Sequence, residues 1–129
     1  MEKKTAPKTY QRRLKSIELY SRIERSMKDP AVYSDPKLSR KSLAARLDTN
    51  ETYVREAIMD HTGLTFSAYI AGVRLAYARK LLLCPDRIYP IHEIVGDCGF
   101  GGTSTFYRLF RNDCGMTPEE YRNSTGDYE

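Results

Sequence analysis

Ser104, Tyr107, Arg108 and Arg111 recur at spacings of three and four, so on a helix they share one face. Glu51, Thr52, Arg55, Glu56 and Met59 repeat that spacing half a chain earlier. These side chains suit the edges of nucleic-acid bases. A guanidinium offers paired donors that match O6 and N7 of guanine, hydroxyls reach several base edges, and a carboxylate accepts from N4 of cytosine. Arg40 and Lys41, near a helix start, suit phosphate oxygens, which position a protein without specifying sequence.

Other reactive groups lack the spacing their chemistry needs. Cys84, Cys98 and Cys114 are odd in number and lie in or beside apolar runs, which points to reduced, partly buried thiols. With His61 and His92 they form no Cys-x-x-Cys or His-x-x-x-His spacing, so no metal is expected. Gly99-Phe100-Gly101-Gly102-Thr103-Ser104-Thr105 is glycine-rich, but no lysine follows the glycines and no strand precedes them. A turn between helices fits better than a phosphate loop. His92-Glu93 has no nucleophile at a recognisable spacing. The expectation is a protein that is not an enzyme and holds no cofactor.

The elements that position these groups are read from a repeat. Gly63-Leu64-Thr65-Phe66-Ser67-Ala68-Tyr69 and Gly115-Met116-Thr117-Pro118-Glu119-Glu120-Tyr121 share Gly-x-Thr-x-x-x-Tyr at an offset of 52. At the same offset Val54 matches Phe106 and Ile58 matches Phe110; further upstream Leu47 matches Cys98 at an offset of 51. Each copy reads as helix, tight turn, helix. Ser39 caps a stripe of Leu43, Ala44 and Leu47; Asn50 caps a second helix with Val54, Ala57, Ile58 and His61 inward. In the second copy Ile91, Ile94, Val95 and Cys98 form the first stripe, Gly99 makes a left-handed turn, and Thr103 or Ser104 caps a helix burying Phe106, Leu109 and Phe110. Ala44 and Gly96 are placed where helices could approach closely.

Between the copies, residues 66–83 contain no proline and carry Tyr69, Val73, Tyr77 and Leu81 in register, broadened by Ile70, Ala76 and Leu82. Such a helix would be roughly 27 Å long. Gly72 within it marks a close contact or a bend. Leu14, Ile17, Tyr20, Ile23 and Met27 make an amphipathic N-terminal helix that stops near Pro30, and Thr117-Pro118-Glu119-Glu120 opens a last short helix. The fold class is all-α: two helix-turn-helix subdomains joined by a long linker helix, about seven helices in all. The boundaries are 1–37 for a basic N-terminal segment, 38–65 for the first helix-turn-helix, 66–84 for the linker and 85–129 for the second with its C-terminal helix.

Charge and length agree with this arrangement. Residues 1–46 carry 13 Lys/Arg against 5 Asp/Glu, whereas residues 47–129 carry 8 against 12. The basic part draws the chain toward a polyanion. No apolar run approaches the roughly 18 residues that cross a bilayer, and no apolar stretch follows Met1-Glu2-Lys3-Lys4, so a cytoplasmic location without membrane contact is expected. The linker helix plus the width of its modules is of the order of the 34 Å or so between successive major-groove faces.

The chain resembles the DNA-binding domain of the AraC/XylS family of bacterial transcription regulators. The resemblance runs from about Leu38 to Asn123 and is carried by Tyr69-Ile70, Arg74-Leu75, Ala78, Leu81-Leu82, Ile91, Ile94-Val95, Cys98-Gly99-Phe100, Thr105-Phe106, Arg108-Leu109-Phe110-Arg111, Gly115, Thr117-Pro118 and Tyr121-Arg122. It implies seven helices, two recognition helices in consecutive major grooves of double-stranded DNA, and control of nearby promoters. By position it implies base contacts from Thr52, Arg55 and Glu56 in the first unit and from Thr103, Ser104, Tyr107 and Arg108 in the second. Arg40, Lys41, Thr105 and Arg111 are expected on phosphates. Glu56 departs from a position often basic in such proteins, and Asp48 stands where a turn glycine is usual. Family members mostly carry a separate sensor or ligand-binding domain, so the chain is expected to be a minimal regulator or the DNA-binding end of a longer protein. Its further partner would be RNA polymerase or that upstream domain. The alternative is a helical protein-interaction module of the same fold with little DNA reading, which the acidic balance of residues 47–129 and Glu56 favour slightly.

Overall fold

A computed structural model describes residues 8–124, and every regular element within them is helical. The order is α1 (Lys8–Ser26), α2 (Pro30–Tyr33), α3 (Arg40–Arg46), α4 (Glu51–Thr62), α5 (Phe66–Leu82), α6 (Ile91–Asp97), α7 (Thr103–Cys114) and α8 (Pro118–Ser124). Two units divide the chain: residues up to 28 with 39–69, and residues 29–38 with those from 70 onward. α5 begins in the first and continues in the second.

In the first unit α4 packs against both α1 and α3. Leu19 and Ile23 of α1 are buried, as are Leu43, Ala44 and Leu47 around α3 and Val54, Ala57 and Ile58 of α4. The ends of these helices are set by local hydrogen bonds. Ser39 Oγ accepts from Ser42 N at 3.1 Å while Ser39 N donates to Ser42 Oγ at 2.9 Å, a reciprocal box that satisfies two otherwise orphaned donors. Asn50 Oδ1 accepts from Tyr53 N at 2.9 Å and opens α4. Between α3 and α4, Asp48 takes φ 55°, the left-handed conformation a glycine would adopt more cheaply. Gly63, at φ 71°, closes α4 by donating its N–H to Met59 O at 2.9 Å. His61 was expected inward but is exposed, its ring stacked on Tyr20 at 4.8 Å. The last turn of α4 runs past the edge of the core, so the side that buries Val54 there meets only Tyr20 and Ser16 of α1.

The second unit buries Leu75, Ala78 and Leu82 of α5, Ile94 and Val95 of α6, Cys98, Phe100, and Phe106 and Phe110 of α7 in one core. Phe100, Phe106, Phe110 and Tyr121 follow one another with centroid separations of 5.0, 5.6 and 5.5 Å. The stripe expected on the linker helix is rotated: Ile70, Leu75, Ala78 and Leu82 are buried, while Tyr69, Val73, Tyr77 and Leu81 are only partly covered. α5 is apolar around most of its circumference, so periodicity cannot choose which edge meets the core.

The N-terminal helix ends at Ser26, short of Pro30 as expected, but a further helix follows. Pro30 opens α2, with Asp29 Oδ1 accepting from Ala31 N at 3.0 Å, and this extra turn makes eight helices among the described residues instead of about seven. Arg74 holds the following segment, donating from Nε to Tyr33 O at 2.7 Å and from Nη2 to Asp35 O at 2.8 Å. The close approach expected at Gly72 or Gly96 lies elsewhere: a Cβ at either would meet nothing within 4 Å, whereas one on Gly99 would lie 2.5 Å from Ser34 O. No helix among the described residues is long and apolar enough to cross a membrane.

Candidate nucleic-acid interface

Two wholly buried rings fix the rotation of α7. Phe106 and Phe110 have no exposed surface, and the rotation they impose leaves Thr103, Ser104, Thr105, Arg108 and Arg111 exposed. Gly102, extended at φ −171°, occupies the cap position without a side-chain bond, so Thr103 and Ser104 are first-turn residues and not caps. Arg108 and Arg111 form no salt bridge among the described residues. Asp113, the acidic residue of this helix, is held by Arg79 at 2.5 Å. An exposed row of hydroxyls and guanidinium groups results, on a helix anchored from behind.

Tyr107 sits at the edge of that row, half-buried. Its ring meets Phe106 edge-on at 5.9 Å and its hydroxyl donates to Glu119 Oε2 at 2.5 Å. Burial, followed by the Glu119 hydrogen bond, pushes its pKa to about 12. The hydroxyl therefore stays protonated with its donor committed, and only its lone pairs face a ligand.

α4 presents Glu51, Thr52, Tyr53, Arg55 and Met59 to solvent. Glu56 differs: its side chain is 26% exposed, and Oε1 lies 3.1 Å from Arg12 Nη2 and 3.9 Å from Arg55 Nη2. The carboxylate is turned toward α1. Ser16, one turn further along α1, donates to Asp60 Oδ2 at 3.1 Å, and Arg22 Nη2 donates to Leu47 O at 2.6 Å. A groove between the helices is lined by Lys8, Arg12 and Lys15 on one side and by Tyr53, Glu56 and Asp60 on the other. Arg12 and Ser16 were missed from the sequence because a contact 44 residues away leaves no local pattern.

Each unit gathers its own share of the expected residues. Thr52, Arg55 and Glu56 lie on α4, with Arg40 half-buried and Lys41 exposed in the first turn of α3. Thr103, Ser104, Thr105, Arg108 and Arg111 lie together on α7, with Tyr107 beside them. No three His, Cys, Asp or Glu residues among the described ones are grouped to hold a metal. Cys98 is buried and its thiol is pushed up to about 12, first by burial and then by Asp97, so it is a core side chain.

Comparison with known proteins matches a family model described as a helix-turn-helix domain to residues 43–124. The transcriptional regulator YpdC of Escherichia coli K12, itself uncharacterized, is 34% identical over 89 residues, covering 69% of this chain and 30% of that protein. The chain thus spans less than a third of that relative's length. Among solved structures, the C-terminal domain of AraT, a response regulator from Geobacillus stearothermophilus, superposes with a TM-score of 0.71 at 26% identity. That match covers 81% of this chain and 84% of the domain. The DNA-binding domain of AdpA, a global transcriptional factor solved with a target DNA, shares the fold at a TM-score of 0.70 and 20% identity, over 83% of this chain and 91% of that one.

Proposed function

The chain belongs to the AraC-type helix-turn-helix family, and from that premise we propose that it regulates transcription by binding specific double-stranded DNA through α4 and α7. The observation that carries this reading is the face of α7. Phe106 and Phe110 are locked into the core while Thr103, Ser104 and Arg108 stand exposed and uncommitted to any ion pair. A second helix inserted in the major groove reads bases with such residues. Thr103, Ser104, Arg108 and the lone pairs of Tyr107 are assigned to base edges, and Thr105 and Arg111 to phosphates.

In the first unit Thr52 and Arg55 are assigned to bases, and Arg40 and Lys41 to phosphates. Glu56 reads cytosine only if its carboxylate leaves Arg12, so α4 is the weaker reader. The repeat supports one such helix per unit, each occupying one of two successive major grooves. A sensor or ligand-binding domain, or RNA polymerase, is the further partner proposed, in keeping with relatives that are transcriptional and response regulators.

Selection of a random duplex library by the full chain tests the reading. The expected result is an enriched motif with two half-sites about 10 base pairs apart. A folded protein that enriches no motif overturns it in favour of a helical interaction module.

A further inference from the structure

Eight large apolar side chains remain exposed among the described residues, and three of them fall on one stripe of α1: Tyr10, Leu14 and Ile17, each about half exposed. At 100° per residue Tyr10 and Leu14 lie opposite the face that α1 gives to its own unit, where Leu19 and Ile23 are buried and Arg12 and Ser16 bond to α4, while Ile17 sits at the edge of the stripe and borders the groove toward Arg55 and Met59 of α4. We propose that the stripe is a pairing surface for α1 of a second copy of this chain, the two helices running parallel. The inference does not depend on the DNA reading.

The spacing and the flanking charges argue for this occupant. Steps of four and then three residues are the d, a and d positions of a heptad seam, with leucine and isoleucine among the side chains that fill such seams. Arg13 then occupies position g and Glu18 position e, both exposed and neither in a salt bridge among the described residues. In a parallel pair, g of one helix faces e five residues on in its partner. Arg13 of each copy therefore meets Glu18 of the other, and the pairing is made twice. In an antiparallel pair g flanks g and e flanks e, so Arg13 never meets Glu18 and both attractive pairs are lost. The charges select the parallel arrangement. Ser21 and Glu24 take the next a and d positions and end the seam. A contact of two turns is far below the roughly 800 Å² per partner of a stable dimer, so the pairing is weak and depends on concentration.

Sedimentation equilibrium of the full chain from about 10 μM to about 1 mM tests the proposal. The mass of the unaltered protein is expected to rise from monomer toward dimer across that range. Arg13→Glu and Glu18→Arg should each weaken self-association roughly tenfold, since two attractive pairs become repulsive. An equimolar mixture of the two variants should associate as the unaltered chain does, because the carboxylate introduced at 13 meets the guanidinium introduced at 18. Leu14→Glu should abolish association. All three positions are exposed, and unchanged helical circular dichroism would confirm that each variant folds. A chain that stays monomeric throughout, a mixture that associates no better than its components, or indifference to Leu14→Glu would overturn the proposal.

Discussion

Gly99→Ala adds one methyl group, and its effect on stability can be worked from three glycines that share a left-handed backbone but differ in what an added Cβ would meet. Gly63, Gly99 and Gly115 all have positive φ, at 71°, 87° and 73°. An L side chain in that conformation costs about 1 kcal/mol or somewhat more. For Gly63 and Gly115 the cost ends there, because an added Cβ would meet nothing within 4 Å. On Gly99 it would lie 2.5 Å from Ser34 O and 2.7 Å from Ser34 C. Those are backbone atoms that cannot rotate aside. Residue 34 is itself tied down, through Ser34 N donating to Pro30 O at 3.0 Å and through the Arg74 bond to the carbonyl of Tyr33. Overpacking of this kind adds about 1–3 kcal/mol. Gly99→Ala should thus lose about 3 kcal/mol, against about 1 kcal/mol for Gly63→Ala or Gly115→Ala. At roughly 4–8 °C per kcal/mol, the difference is on the order of 10 °C in melting temperature. Thermal and urea unfolding followed by circular dichroism measure it. Equal losses for all three variants would refute the argument that the contact with residue 34, and not left-handed geometry alone, demands glycine at 99.

Arg108→Ala should cost about 1–3 kcal/mol in binding the selected DNA and relax the preference at one base pair. Arg111→Ala should weaken specific and random duplexes alike and reduce the salt slope by about one. Fluorescence anisotropy against both duplexes at several salt concentrations separates the two, and identical behaviour would contradict the assigned roles. Arg74→Met should destabilise the protein by about 2–3 kcal/mol, because it strands the carbonyls of Tyr33 and Asp35 that the guanidinium now serves; a neutral urea midpoint would refute the tether. Cys98 gives a pH signature: its thiol titrates near 9.0 when unperturbed and at about 12 when folded. Below the lower value both states are protonated and its contribution is intact. Above it the unfolded chain ionises first, so stability falls as pH rises between those values. Urea midpoints should decline over that range with a shallower slope in Cys98→Ala.

Local signals were the most legible. Gly63 and Gly115, aligned by the repeat, both close helices in left-handed geometry. Ser39 and Asn50 cap where their short polar side chains suggest, and Cys98 is buried at the place its partner Leu47 occupies in the first copy. The rotations of α4 and α7 followed from two or three apolar residues each, since a stripe that narrow has one way to face a core. The rotation of α5 did not, because several stripes compete on an apolar helix. The remaining differences come from partners far away in sequence. Tyr107 is restrained by Glu119, Glu56 by Arg12, and Gly99 by a backbone segment 65 residues earlier. None of these pairings has a spacing that a helix or turn would impose, so only the folded chain brings them together.

The two reading helices are not electrostatic equals, and this bears on how the proposed DNA binding is shared. α4 carries Arg55 against Glu51, Glu56 and Asp60, so the helix itself is acidic. α7 carries Arg108 and Arg111 against Asp113, whose charge Arg79 already offsets. The first unit holds its cations on the neighbouring helices: α1 has Lys8, Arg12, Arg13, Lys15, Arg22 and Arg25 against Glu18 and Glu24, α3 has Arg40, Lys41 and Arg46, and Arg12 is spent on Glu56. Under the proposed function, a phosphate backbone would repel α4 and attract α7. α7 can therefore anchor and read with the same side chains, whereas α4 depends on its surroundings for anchoring. A mismatched base pair under α7 should accordingly cost more affinity than one under α4, and an engineered Glu56→Gln should narrow that gap by removing the charge that Arg12 now has to neutralise.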